Sequence, residues 1–232
     1  PPRSTLFPYT TLFRSDVSSS VAESTESLEE TPFTPEKLVD TSLKTVKNTE
    51  NIDDIESKIA VQSVPDEDGH VAVFITNNSD TVIDDLDAQI LFKDASGTTI
   101  DMDEDFHDMI LPGSTVVSQM DAPDSYDSFE TSFSIEIGVN PSYENHAADV
   151  TVNANQGDDC VIVEITNNGT VDIDEIEYIV LLYKGDTLVS VGYSSDVYDV
   201  KAGQTVTEKE NTYGEEYDRF EVYLNQAHTF GL

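Results

Sequence analysis

The chain has 232 residues and carries 47 acidic residues against 11 basic ones, for a formal net charge of −36. A surface of that sign repels nucleic-acid phosphates and anionic lipid headgroups, which argues against both as partners, and it attracts cations and basic ligands. One cysteine, Cys160, rules out an intrachain disulfide, and no run of roughly 20 apolar residues is present to cross a membrane.

The chain opens PPRSTLFPYTTLFRS. Its apolar residues Leu6, Phe7, Leu12 and Phe13 come in pairs broken by Pro8 and by Thr10-Thr11, which is not the continuous apolar run of a secretory signal. Pro8 also disfavours an amphipathic presequence helix. All fifteen residues resemble one translated frame of a common short-read sequencing adapter, and that resemblance implies that Pro1–Ser15 is not native protein. The native fragment is then expected to begin near Asp16, with any export signal lost upstream. Without Arg3 and Arg14 the 11 basic residues fall to 9 against 47 acidic ones, a formal charge of −38.

Residues 16–34 are rich in Ser, Thr and Glu and read as a disordered, solvated linker. Thr34-Pro35-Glu36 can open a short helix with Pro35 at its first position, and Val39, Leu43 and Val46 follow at helical spacing. Residues 35–54 are therefore expected to be a short helix or leading segment.

From residue 58 the pattern changes to strands, and then it repeats. Ile75-Thr76-Asn77-Asn78 recurs as Ile165-Thr166-Asn167-Asn168, and Gly113-Ser114-Thr115-Val116 as Gly203-Gln204-Thr205-Val206, both 90 positions later. Tyr126-Asp127-Ser128-Phe129-Glu130 recurs as Tyr217-Asp218-Arg219-Phe220-Glu221. Three ordered matches at near-constant spacing indicate a tandem duplication whose units are each long enough to bury a core. The expected boundaries are 55–138 for the first unit, 139–147 for a linker and 148–232 for the second.

In the second unit, VTVN (150–153) and CVIVEIT (160–166) form a hairpin, and Asn168-Gly169 turns the chain. Along 176–183 both alternating faces are largely apolar, which predicts a strand packed on two sides. TLVSVGY, TVTEKE and RFEVYLN follow, separated by turns at Lys184-Gly185-Asp186 and Lys201-Ala202-Gly203-Gln204. Seven or so short strands per unit predict an all-β protein of two tandem antiparallel, immunoglobulin-like β-sandwich domains.

These residues resemble the FxLYD family, small immunoglobulin-like domains found in tandem in exported bacterial proteins, often lipoproteins. The likeness rests on the asparagine pair, the apolar strand leading to a turn, the Gly-x-Thr turn and the Tyr-Asp-x-Phe-Glu strand. The naming motif is degenerate here. It reads Ile90-Leu91-Phe92-Lys93-Asp94 in the first unit and Val180-Leu181-Leu182-Tyr183-Lys184 in the second. The resemblance implies an extracellular, surface-attached, lipoprotein-like module and supplies no catalytic residues.

Several constellations carry two readings. Asp101, Asp103 and Asp105 alternate, so on a strand they share one face. That face is either solvated or a weak Ca²⁺ site; with Phe106 and Pro112 at the sixth and twelfth positions it is not an EF-hand loop. Asp84-Asp85 and Asp174-Glu175 occupy equivalent places after the Asn-rich turn and read either as turn solvation or as a cation site at a domain end. Asn78, Asn168, Gly113 and Gly203 are expected to shape turns. Tyr126 and Tyr217 are expected to bond nearby backbone at a sandwich corner. Cys160 reads as a buried structural thiol.

No His-x-x-x-His pair, Gly-x-Ser-x-Gly elbow or Gly-x-x-x-x-Gly-Lys loop is present. The functional expectation is a non-enzymatic, monomeric module on the cell surface, a spacer or a binder of a protein or cell-wall ligand, with no cofactor beyond a weakly held Ca²⁺. A Ca²⁺-dependent adhesion module is the alternative, and accessory domains of an enzyme whose catalytic part lies elsewhere a remote one.

Overall fold

A computed structural model describes residues 51–138 and 142–231. The adapter-like opening, the linker, the helix expected from Pro35 and part of the 139–147 connection lie outside the described residues. The first described element is a one-turn helix, α1 (Ile52–Glu56), whose Ile55 is fully buried at the edge of the first core.

The first unit consists of β1 (Ile59–Pro65), β2 (His70–Asn77), β3 (Ile83–Lys93), β4 (Thr99–Ile110), β5 (Thr115–Asp121) and β6 (Ser128–Glu136). A short β7 (Tyr143–Asn145) and a 3-10 turn (Ala147–Asp149) lead into the second. It consists of β8 (Val150–Gln156), β9 (Cys160–Asn167), β10 (Ile173–Lys184), β11 (Thr187–Val191), β12 (Ser195–Val200), β13 (Thr205–Asn211) and β14 (Arg219–Phe230). Every strand pairing is antiparallel.

Each unit is a pair of packed sheets. In the first, β1-β2-β5 faces β4-β3-β6; in the second, β13-β9-β8 faces a sheet built from β11-β10-β14-β7 with β12 also on β10. The chain crosses between sheets after β2, β4 and β5, and again at the equivalent places in the second unit, which is the all-β, immunoglobulin-like sandwich predicted from the repeat. In the first core Val71, Val73 and Ile75 of β2 meet Leu86, Ala88, Ile90 and Phe92 of β3. In the second, Val161, Val163 and Ile165 of β9 meet Ile176, Tyr178, Val180 and Leu182 of β10.

A third core joins the two units. Ala72 and Val117, with Val64 and Phe74 packed against them, lie on the back of the β1-β2-β5 sheet. They pack on Ile179, Leu181, Leu188, Val191 and Tyr223 on the back of the β10 sheet. The Phe74 and Tyr223 rings meet edge-on at 5.6 Å. The second apolar face of β10 is thus covered by the neighbouring unit, and the molecule is a stack of four sheets rather than two beads on a string.

Polar pins surround that interface. The Asn225 carboxamide accepts from the Val117 N–H (2.9 Å) and donates to the Val117 carbonyl (3.0 Å). Because β5 is the edge of its sheet, these backbone groups have no neighbouring strand, and a side chain takes its place. Asp66, its side chain fully buried, accepts from the N–H groups of Asp68, His70 and Val191. Gln119 donates to the Val191 carbonyl and Asn145 to that of Met109.

The asparagine corner is the same in both units, but its structural member is the first of each pair. Asn77 is fully buried and donates to the carbonyls of Thr81 and Ile110 while accepting from Ser79. Asn167 donates to those of Val171 and Val200 and accepts from the Gly169 N–H. Asn78 and Asn168 are exposed, and Asn168 reaches out to Thr151 and the Asp149 carbonyl. Gly113 and Gly203 hold positive φ (78° and 74°) and donate to the Asn77 and Asn167 carbonyls, so the turn and the corner close on one another.

Candidate functional site

A cavity of about 370 Å³ opens at the junction of the two units. Its origin is a difference between the repeats. In the first unit β4 runs unbroken along β3, with Met102 and Asp105 opposite Leu91 and Ala88. In the second, Val191 and Ser195 stand opposite Leu181 and Tyr178, and three residues, Gly192, Tyr193 and Ser194, bridge a gap that two bridge in the first. The extra residue splits one strand into β11 and β12 and lifts the chain off β10.

The Ser194 hydroxyl donates to Glu177 at 2.8 Å and Gly192 donates its N–H to the Val180 carbonyl at 2.8 Å, which together tie the lifted segment back to β10. A Cβ at this position would lie 2.9 Å from that oxygen, so the approach admits only glycine. Beneath the gap, Val161, Val180 and Leu182, buried side chains of the second core, form the cavity floor. On the opposite wall, Asp68, His70 and Gln119 come from the first unit. Thus both units line the cavity, the second unit supplying most of it.

The rim is acidic and aromatic. Asp68, Glu210 and Glu215 line it, and no Lys or Arg does. Tyr193 and Tyr213 are 73% and 89% exposed, unusual for rings of this size. The Tyr193 ring meets His70 of the first unit edge-on at 6.3 Å. Tyr213 and Gly214 are successive left-handed residues (φ 51° and 87°) in the turn after β13. Below the rim, the buried Tyr178 donates its hydroxyl to Glu210. Burial, and then the Glu210 carboxylate, hold the Tyr178 proton well beyond the ordinary phenol range.

The acidic positions singled out in the sequence are placed elsewhere. Asp101, Asp103 and Asp105 share one face of β4, as their alternation predicts. Each turns one carboxylate oxygen onto the N–H of the next residue, at 2.9, 3.0 and 2.9 Å, and Asp103 also accepts from the Asp121 N–H. Asp85 stands opposite Asp108 on one side and Glu136 on the other, a row of three carboxylates across the sheet. Partial burial, then Asp85, Asp84 and Glu177, push the Asp108 carboxyl up to about 6. Asp174 accepts from the Phe230 N–H, and Glu175 lies 3.4 Å from His228. Among the described residues, no group of three or more His, Cys, Asp or Glu side chains is arranged to hold a metal ion.

The two corner tyrosines differ. The Tyr217 hydroxyl donates to the Cys160 carbonyl at 3.3 Å, and Cys160 itself is buried with a free thiol. Tyr126 packs edge-on against Phe92 at 5.0 Å.

The cavity residues were not singled out by sequence reasoning. The available signal was a glycine inside an apolar strand, which marks a bulge or a close backbone approach. No protein-family model matches the chain, and no curated protein matches it. The described residues contain no helix long and apolar enough to cross a membrane.

Proposed function

We propose that the chain is a non-enzymatic binding module of an exported, surface-held protein, built from two FxLYD-type units acting as one body. The observation that carries this reading is the junction. The units share an apolar core, and the cavity between them is bounded by both. A spacer needs only end-to-end linkage; a cavity lined from two docked units is an arrangement suited to holding a ligand. The export half of the reading is supported by the motif likeness to tandem domains of bacterial lipoproteins; the single buried thiol fits either a reducing compartment or an export route without disulfides.

Immunodetection on intact cells of the source bacterium, before and after protease treatment, tests the localisation. Loss of signal on proteolysis is expected, and signal that appears only after lysis overturns it. Thermal scans with millimolar Ca²⁺ and with chelator separate the Ca²⁺-dependent reading, for which a raised melting temperature is required. An unchanged midpoint leaves the Ca²⁺-independent module.

A further inference from the structure

We infer that the junction cavity is a binding site for a small organic cation, an ammonium group attached to an apolar body. The inference deepens the binding-module reading and rests on it. Three features of the cavity specify the ligand. Its floor, Val161, Val180 and Leu182, is aliphatic and belongs to the second core. Apolar ligand surface placed against that floor leaves water for an aliphatic wall. Its rim places the carboxylates of Asp68, Glu210 and Glu215 around the mouth with no Lys or Arg among the lining residues. A carboxylate ligand is repelled at this mouth, and an ammonium is drawn to it. Finally, the exposed faces of Tyr193 and Tyr213 flank the opening, and aromatic faces attract cations, most strongly when water is excluded.

The duplication supplies an internal comparison. At the equivalent place in the first unit the strand is one residue shorter between its flanking pairs and runs unbroken. The positions equivalent to Gly192 and Tyr193 there are the strand residues Asp103 and Glu104, and Asp103 is tied to the Asp121 N–H. The repeat has therefore diverged toward an open aromatic mouth only where the two units meet. Tyr193 reaches from the second unit to His70 of the first, so a ligand under that ring touches both units and favours their docked state.

The test is isothermal titration of the full chain with benzyltrimethylammonium, beside benzyl alcohol as the neutral analogue and phenylacetate as the anionic one. The expected result is saturable binding of the cation alone, with Kd below about 1 mM. Tyr193→Ala and Tyr213→Ala each weaken it at least about threefold, as loss of one aromatic face implies. Both side chains are largely exposed, so the variants keep the parent melting temperature, which a thermal scan verifies. Glu215→Gln weakens binding as well, and about 0.5 M NaCl reduces it without abolishing it. Absence of saturable binding, equal binding of the alcohol or phenylacetate, or a cation affinity unmoved by all three substitutions overturns the assignment. Surface proteolysis of intact cells is read independently. A cation site on a chain found only inside the cell removes the export reading alone, and a surface chain that binds no cation removes the cavity assignment alone.

Discussion

Asn225→Leu tests whether the two units are held together by specific bonds as well as by apolar area. Asn225 is 6% exposed and Val117 fully buried. The carboxamide satisfies both outward-facing backbone groups of Val117 and donates to Glu177 besides, at 3.0 Å. Leucine has the same number of side-chain heavy atoms and the same branching, so the shape is largely kept while both Val117 groups lose their partner. Each buried backbone group left unpaired costs about 1–3 kcal/mol. Two groups, partly rehydrated by relaxation of an edge strand, put the loss near 3 kcal/mol. For a chain of this size that corresponds to a fall in melting temperature of about 6–12 °C. Urea denaturation followed by circular dichroism measures the difference directly, and hydrogen exchange at the Val117 amide reports the local opening. A loss below about 0.5 kcal/mol, with the Val117 amide still protected, would falsify the claim that this side chain stands in for a missing strand.

Four further outcomes are expected. Asp108→Asn raises stability at pH 7.5. The native carboxyl, pushed up to about 6 from 3.8, binds its proton more tightly than in the unfolded chain, so its favourable contribution is complete below 3.8 and is lost as pH rises through 6. The gain is about 1 kcal/mol after allowance for solvent screening at a half-exposed group, and it disappears in urea titrations near pH 4. His107 has the opposite sign. It is buried and bonded to Ser118, and burial holds it below its ordinary value despite Asp105 and Glu177. Its contribution is present above 6.5 and is lost as pH falls, so His107→Gln flattens the decline in urea midpoint between pH 7.5 and 5. Tyr217→Phe removes the bond to Cys160 and lowers stability by about 1 kcal/mol, an expectation that an unchanged denaturation midpoint defeats. Asn167→Ala costs about 2–4 kcal/mol while Asn168→Ala stays within about 0.5, and equal effects in the same denaturation series contradict the corner assignment.

Much of the fold was legible because its signals are local. The strand pattern of the second unit and the turn glycines follow from spacing within a few residues, and the duplication from short motifs that recur 90 positions later. The two-sided strand at 176–183 was legible too, but not what covers its second side. Apolarity on a face says that something packs there; only the tertiary arrangement says that Ala72 and Phe74 do. The asparagine corner was read one residue late because Asn77 and Asn78 are chemically identical in the sequence, and only strand register decides which turns inward. Asp66 lies at a hairpin tip, and nothing local announces that its side chain will be buried against Val191 of another unit. The cavity escaped for the same reason. It is made by one inserted residue in one unit and by side chains of the other, a juxtaposition that no single stretch of sequence contains.

The mode of docking raises a problem that the outward-facing residues solve. The back of the β1-β2-β5 sheet packs on the back of the β10 sheet, and these are different faces of the repeated unit. Such a contact is heterologous and does not close on itself. A faithful duplication would leave the complementary face bare at each end of the stack, free to add further copies without limit. In the second unit the positions equivalent to Val64, Phe74 and Val117 are Asn155, Glu164 and Thr207. In the first unit the positions equivalent to Ile179, Tyr183 and Tyr223 are Gln89, Lys93 and Ser132. Most inward-facing positions stay apolar in both copies, since each unit must bury its own core, although Val197 and Val222 are matched by His107 and Thr131 in the first unit. Ile162 and Leu91 stay apolar at the equivalents of Ala72 and Leu181, but the polar residues around them interrupt the second copy of each interface face. The junction whose two faces are both apolar is also the one that carries the cavity, so the asymmetry between the units places the cavity where they meet.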